Sequence, residues 1–364
     1  MEYRINRRTG DAISVLGLGT SVLPAGEEGV RILEAAVEGG INYFDLATAE
    51  SHTFTTFGRA LAGVRSKVRY QVHFGAFYGP GKSYAWTLNL DKIKASVDWQ
   101  LSELKTDYID YGFIHCLDEE KDWEKYRKNG VLDYLLELKG QGVVHHLGFS
   151  THTPKVANLI LDADVADMML FSINAAYDYQ HGEFAHGSGS ERMELYQRCE
   201  AMGVGISVMK PFSGGQLLDE RTSPFGRALS PWQCLQYVLD KPGVLTVVAG
   251  AGSMGELESI LGFFAASPDE RDYSLIASLT PVDLQGRCVY CNHCQPCPAG
   301  IDVGLANKYY DLARAGDDLA VDHYRTLHVH ADACTQCGHC NSRCPFHVDQ
   351  MARMREMDAW FAAR

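Results

Sequence analysis

The chain has 364 residues, 46% of them hydrophobic, and a formal net charge of −13. That length suits one large domain with a small appendage, and the acidic balance argues against nucleic acid or an anionic membrane as the partner. No apolar run approaches the roughly 20 residues needed to cross a bilayer, and the opening MEYRINRRTG lacks the apolar stretch of a secretory signal.

From the N-terminus to about residue 265, short apolar runs alternate with amphipathic stretches. The strand-like runs fall at 14–20, 43–47, 68–74, 108–116, 145–151, 167–174, 205–212 and 245–251. Helical spacing covers 27–38, 91–104, 122–139, 154–162, 191–202, 231–240 and 255–265. Eight strands alternating with helices predict a parallel sheet clad in helices, and the number eight points to closure into an α/β (β/α)8 TIM barrel. An open doubly wound sheet is the alternative. It is the weaker one, because Gly17-Leu18-Gly19-Thr20 lacks the third glycine of a dinucleotide fingerprint. The Gly-rich polar segments 76–88 and 178–190 each follow a strand, which places them at the C-terminal mouth where barrel active sites are built. Residues 266–287 read as a junction, giving a barrel over 1–280 and a second domain over 281–364. Within the latter, 303–315, 317–328 and 349–362 read as helices.

Eight of the eleven cysteines lie in that second domain. One run is Cys288-x2-Cys291-x2-Cys294-x2-Cys297-Pro298, the other Cys334-x2-Cys337-x2-Cys340-x3-Cys344-Pro345. Four thiolates hold one [4Fe–4S] cube, and in two-cluster ferredoxins the cysteine before proline reaches the other cube. That pattern implies one set of Cys288, Cys291, Cys294 and Cys344 and another of Cys334, Cys337, Cys340 and Cys297. A zinc ribbon is the competing use of paired CxxC motifs, but the third cysteine of each run is surplus to it. Reduced cluster thiolates and the absence of a signal fit a cytoplasmic protein. Cys116, Cys199 and Cys234 are expected to be buried structural thiols.

Six segments occur in an order that resembles the aldo-keto reductases: Gly17-Leu18-Gly19-Thr20; Asn42-Tyr43-Phe44-Asp45; Asp107-Tyr108-Ile109-Asp110 with Ile114-His115; Leu147-Gly148-Phe149-Ser150-Thr151-His152; Val208-Met209-Lys210-Pro211-Phe212-Ser213-Gly214-Gly215; and Ala249-Gly250-Ala251. With the cysteine runs, the chain resembles the group of that family whose C-terminal ferredoxin-like domain carries two [4Fe–4S] clusters. The resemblance covers nearly the whole chain. It implies a catalytic tetrad of Asp, Tyr, Lys and His, and the matching positions here are Asp45, Glu50, His73 and His115. Asp and His are kept; Glu50 stands at the Tyr position and His73 at the Lys position. The implied cofactor positions are Ser150, Thr151, Asn174, Met209, Lys210, Gly250 and Ser253, with Leu170 where the family has Gln. No cation for a 2′-phosphate is evident.

The expected function is an iron–sulfur oxidoreductase acting on a small carbonyl or hydroxyl compound. NAD(P) or a flavin would couple one-electron clusters to two-electron chemistry, and ferredoxin or flavodoxin would be the electron partner. The alternative is a non-redox lyase or isomerase in which the altered tetrad does acid–base or metal-assisted chemistry and the clusters are structural. Asp118, Glu119 and Glu120 are read as an acidic helix start rather than as site residues.

Overall fold

Apolar, β-branched runs bounded by turns pair most stably when both of their faces are covered. A computed structural model describes residues 1–80, 82–279, 286–314, 316–344 and 346–363, and in it eight such runs form a closed parallel ring. The strands are β1 (Leu16–Gly19), β2 (Tyr43–Asp45), β3 (Arg69–Phe74), β4 (Ile109–Ile114), β5 (Val144–Thr151), β6 (Met168–Ser172), β7 (Gly205–Met209) and β8 (Val244–Gly250). Each pairs in parallel with its neighbours in sequence, and β8 pairs with β1 to close the barrel. All eight expected strands are present, and the open-sheet alternative falls with the closure.

Alternation along each strand builds two cores. Tyr43, Tyr111, Phe113, Met168, Leu170 and Val248 form one buried apolar cluster, filling the barrel interior. Their neighbours Phe44, Tyr70 and Ile114 belong to the larger core shared with the surrounding helices. Each large side chain so buried contributes roughly 1.5–3 kcal/mol. An N-terminal antiparallel hairpin, Tyr3–Ile5 with Ala12–Ser14, lies at the other end from the mouth, where Arg4 donates to the carbonyls of Leu239 and Val244.

The outer helices are α1 (Gly26–Glu38), α2 (His52–Ala60), α3 (Leu90–Leu104), α4 (Glu120–Lys128), α5 (Val131–Gly140), α6 (Pro154–Asp162), α7 (Gly189–Met202), α8 (Pro231–Leu239) and α9 (Met254–Leu261). Capping boxes start α7 (Ser188 with Glu191) and α8 (Ser230 with Gln233, Pro231 leading the first turn). The stretch expected as one helix over 122–139 is two, broken where Gly130 takes φ 74°. Helix α2 was not anticipated: its sequence, HTFTTFGRA, is rich in Thr and Phe, and packing rather than propensity makes it helical. Segment 76–88, expected as a loop, contains a second hairpin, Ala76–Gly79 with Lys82–Trp86; Gly81 lies outside the described residues.

The C-terminal region is helical: α10 (Val303–Arg314), α11 (Asp318–Arg325), α12 (His339–Arg343) and α13 (Gln350–Ala362). It has its own apolar core, where Tyr324 stacks on Phe361 at 3.7 Å. It docks on the outer face of α7 through Gln197 to Tyr290 (2.7 Å) and Arg287 to Glu194 (3.3 Å), while Arg7 of the N-terminal hairpin loop meets Asp317 at 3.1 Å. The expected boundary at 280/281 and Pro345 lie outside the described residues.

One buried ion pair ties the β6 end to α7. Arg192 is fully buried; its Nε donates to Asp178 (2.7 Å) and its Nη2 to the Ser172 carbonyl (2.5 Å). Tyr196 and Tyr237 also donate to Asp178. Removing one partner strands the other charge away from water. Arg192→Met is therefore expected to cost about 3–5 kcal/mol of stability, read from the shift in denaturant midpoint.

Candidate active site and cysteine cradle

Strand ends on one side of the ring converge on a cavity of about 890 Å³. At its base four side chains form a single hydrogen-bonded row. Asp45, closing β2, lies 2.7 Å from His73 Nε2 on β3. His73 Nδ1 lies 2.9 Å from Nδ1 of His115, the residue after β4. His115 Nε2 lies 2.9 Å from the Tyr84 hydroxyl. Tyr84 comes from the hairpin after β3, and its backbone N–H donates to the Ala49 carbonyl, beside Glu50. A tyrosine thus reaches the tetrad region from a different segment.

The tautomers follow from the acceptor at the end of the row. His73 Nε2 lies 3.1 Å from the Gln71 amide but only 2.7 Å from Asp45, so it donates its proton to Asp45; this leaves His73 Nδ1 to accept from His115 Nδ1–H, and His115 Nε2 to accept from Tyr84 O–H. Gln71 holds the Asp45 end: its amide donates to Asp45 (2.9 Å) while its oxygen accepts from buried Tyr43 (2.6 Å). Gly75, at φ 130°, makes room for the hairpin, since a Cβ there would sit 3.0 Å from the His115 Cβ. Burial raises the Tyr84 hydroxyl to about 12, with Cys116 and Asp118 adding to it. Burial also holds His115 well below the usual histidine range, reinforced by His73 and His152.

A second group stands beside this row. Asp118 accepts from the His152 ring Nδ1 (3.0 Å), the His152 backbone N–H (2.7 Å) and the Thr151 hydroxyl (3.0 Å). Burial opposes its ionisation, but these bonds and the His152 ring hold its carboxyl below the ordinary range. Asp118 is therefore a buttress for His152 and not part of a helix start; α4 begins after it with Glu119 as its cap. Cys116 is half-buried in the cavity wall rather than in the core, unlike the buried Cys199 and Cys234.

The remaining expected residues divide. Glu50 is exposed at the cavity rim. Ser150, Met209, Lys210 and Gly250 line the cavity, with Leu170. Ser150 Oγ accepts from the Cys116 N–H (2.7 Å), Thr151 is bound to Asp118, and Asn174 spans the Lys210 carbonyl and the Tyr177 N–H, both at 2.9 Å. Ser253 caps α9. The polar groups expected to contact a nicotinamide are thus engaged within the protein. Tyr84 was not found from sequence; the alternation Tyr84-Ala85-Trp86 after Gly79-Pro80-Gly81 is the hairpin signal that would have located it.

In the C-terminal region Cys288, Cys291, Cys294 and Cys344 surround one small cavity with Phe346 and Gln350. Tyr290 and Asn292 take left-handed conformations (φ 62° and 59°) and so fold the CxxCxxC run around it. Thiol acceptors are served by the Val348 N–H to Cys344 (3.4 Å) and by Gln350 to Cys288 (3.7 Å). Cys334, Cys297 and Cys340 form a second neighbourhood, and Cys337 is exposed. Burial, with neighbouring cysteines adding to it, pushes the Cys288 thiol up to about 12 and Cys291 to about 11, so thiolates there need a cation. Lys241 fits the same demand. It is fully buried, hydrogen-bonds to nothing among the described residues and lies 3.7 Å over the Tyr237 ring; burial lowers its pKa, opposed by Asp178 and Asp240 and then by Cys291 and Cys288. Four thiols around one cavity suit an iron–sulfur cluster.

Residues 15–233 match the aldo/keto reductase family and residues 285–348 match the 4Fe-4S dicluster domain. The chain belongs to the aldo/keto reductase family and is an oxidoreductase of that type with a C-terminal iron–sulfur domain. It is 27% identical over 297 residues to the uncharacterized oxidoreductase YqkF of Bacillus subtilis, covering 75% of this chain and 94% of that one. It is 24% identical over 232 residues to YrpG of the same organism, also an uncharacterized oxidoreductase, covering 60% and 68%. Among solved structures, an aldo-keto reductase from Bacillus halodurans in its holo form superposes with TM-score 0.61 at 25% identity, over 77% of this chain and 97% of that one. Among the described residues, no helix is long and apolar enough to cross a membrane.

The lowered His115 pKa has a stability consequence. An unfolded chain takes up this proton near pH 6.5, whereas the folded protein resists it. Stability from neutral His115 is complete above about pH 6.5 and is lost as pH falls toward the folded value. Chemical denaturation is expected to show stability falling below pH 6.5 by up to about 1.4 kcal/mol per pH unit, and His115→Gln to remove that component.

Proposed function

We propose that the protein interconverts a small carbonyl compound and its hydroxyl form at the barrel mouth, with Tyr84 as the proton-exchanging group. Asp45, His73 and His115 stand behind it in place of the family's Lys–Asp pair. The unbroken row from Asp45 to Tyr84 carries this reading. In the arrangement described, Tyr84 donates toward His115, which leaves the phenol oxygen able to take a proton from a substrate hydroxyl as its own moves inward. With one further proton on the row, His73 is cationic against Asp45; its Nε2–H still donates to Asp45, while the His73–His115 and His115–Tyr84 bonds reverse. Tyr84 then donates to a carbonyl oxygen. The two states differ by one proton, the number a carbonyl reduction needs besides two electrons and the hydrogen delivered to carbon. Asp45 stabilises the charged state. Glu50, at the rim, borders this chemistry without belonging to the row.

Of the cofactor positions, Ser150, Met209, Lys210 and Gly250 face the cavity where NAD(P) or a flavin would lie; Thr151, Asn174 and Ser253 support them from behind. We assign Cys288, Cys291, Cys294 and Cys344 to one [4Fe–4S] cluster and Cys334, Cys337, Cys340 and Cys297 to a second. Such clusters, when bound, exchange single electrons, and ferredoxin or flavodoxin is the partner suited to supply them. The internal engagement of Ser150, Thr151 and Asn174 favours a second reading as well. In it the same row abstracts a proton from carbon, as a lyase or isomerase would, and no nicotinamide is needed.

Anaerobically purified protein is expected to contain about eight iron and eight sulfide per chain; about four would remove one cluster from the assignment. In a screen of carbonyl compounds with NAD(P)H or a reduced ferredoxin, Tyr84→Phe is expected to lower turnover by roughly 10²–10⁴. Glu50→Gln should change it far less. Equal losses in the two variants would contradict the assignment of Tyr84.

A further inference from the structure

Lys210 follows β7 with φ 57°, a left-handed conformation that costs a side-chain-bearing residue free energy and concentrates at functional sites. The Asn174 amide pins its carbonyl at 2.9 Å. The strained backbone sends the ammonium into the cavity, beside apolar groups such as Leu170, Met209, Phe212 and Val248, with Asp45, Glu50 and Glu256 the carboxylates elsewhere in its lining. There Nζ lies 3.4 Å from His152 Nε2 and 4.2 Å over the Phe184 ring. His152 Nδ1–H is committed to Asp118, so Nε2 presents a lone pair that accepts one ammonium proton. The other two are left for the cavity. No carboxylate stands in ion-pair contact with Nζ among the described residues. Asp118 does not fill that role, because its oxygens are taken by His152, Thr151 and Cys116.

A metal is the other use for this group, since one ligand atom from each of Cys116, Asp118 and His152 lies within 4.8 Å of the others. The ammonium decides against it. A cation 3.4 Å from the imidazole nitrogen repels a second cation, whereas an aimed, half-desolvated ammonium with no carboxylate in direct contact attracts an anion.

We propose that Lys210, positioned by His152 and Asp118, binds an oxyanion group of the substrate, so that the carbonyl compound handled at Tyr84 carries a carboxylate. This names the substrate class for the function proposed above and rests on that cavity being the substrate site. A phosphate of a nucleotide cofactor has the same oxyanion chemistry and is the other possible source. Burial lowers the Lys210 pKa while Cys116, Asp118, Glu183 and Asp45 oppose that shift, and His152, its hydrogen-bond partner, also acts on His115 of the proton row.

The test is calorimetric titration of the full-length, cluster-loaded protein with malonate and, separately, with ADP. Malonate is expected to bind the wild type, to bind Lys210→Met at least tenfold more weakly, and to recover part of the loss in Lys210→Arg. A protection assay on the wild type does not depend on a variant folding: malonate should slow modification of Lys210 by an amine-specific reagent, read by peptide mass spectrometry. Malonate binding that is absent, or indifferent to Lys210→Met and without protection, overturns the proposal. If ADP alone loses affinity in Lys210→Met, the oxyanion belongs to a nucleotide and the substrate assignment fails. Neither readout needs turnover, so an inactive preparation leaves the result interpretable and separates this inference from the redox reading.

Discussion

The hydrogen bond between Asp45 and His73 sets the state of everything above it. It is 2.7 Å long and buried, and it has a carboxylate at one end, so only one ring nitrogen of His73 can carry the proton toward it. From there each tautomer is dictated by the one before, until the direction of the Tyr84 hydroxyl is settled two imidazoles away. Low local polarity strengthens such a row and penalises any break in it. Two imidazoles transmit a proton by exchanging tautomers, which a lysine cannot do. His73 is therefore a switchable link at a point where a lysine would be a fixed cation.

The barrel supplies the rigidity this requires. Neighbouring strands hold Asp45, His73 and His115 in register, with Gln71 and Tyr43 anchoring the row from inside the ring. Only Tyr84 stands on a hairpin, and that hairpin is tied to the barrel through Gly75 and Ala49. The iron–sulfur region meets the barrel on its flank. Lys241, between α8 and β8, is buried near that junction, where Asp178 and Asp240 of the barrel and Cys291 and Cys288 of the cradle all act on it.

Much of the fold was legible in sequence. Parallel strands buried on both faces read as apolar runs, and all eight were found. The cysteine spacings pointed to iron–sulfur ligation, and the region they occupy matches an iron–sulfur domain family. What escaped were features decided by contacts distant in sequence. Helix α2 has weak intrinsic preference and is helical because Phe54 and Phe57 are buried in the core. Asp118 resembles any acidic residue ahead of a helix until β5 brings His152 onto it. Tyr84 lay in a segment whose glycines suggested a loop, and nothing local tells that its hydroxyl meets His115, 31 residues away. Asp45, His73 and His115 could be placed by family position, but the order of hydrogen bonds among them could not.

The most direct test is nitrogen-15 NMR of the histidine side chains, using two-bond couplings to read which ring nitrogen carries the proton. The relay predicts His73 protonated on Nε2 and His115 on Nδ1 near neutral pH, with the His115 assignment lost or scrambled in His73→Asn. A His115 protonated on Nε2, or a pattern unchanged by removing His73, would contradict a proton row running from Asp45 to Tyr84.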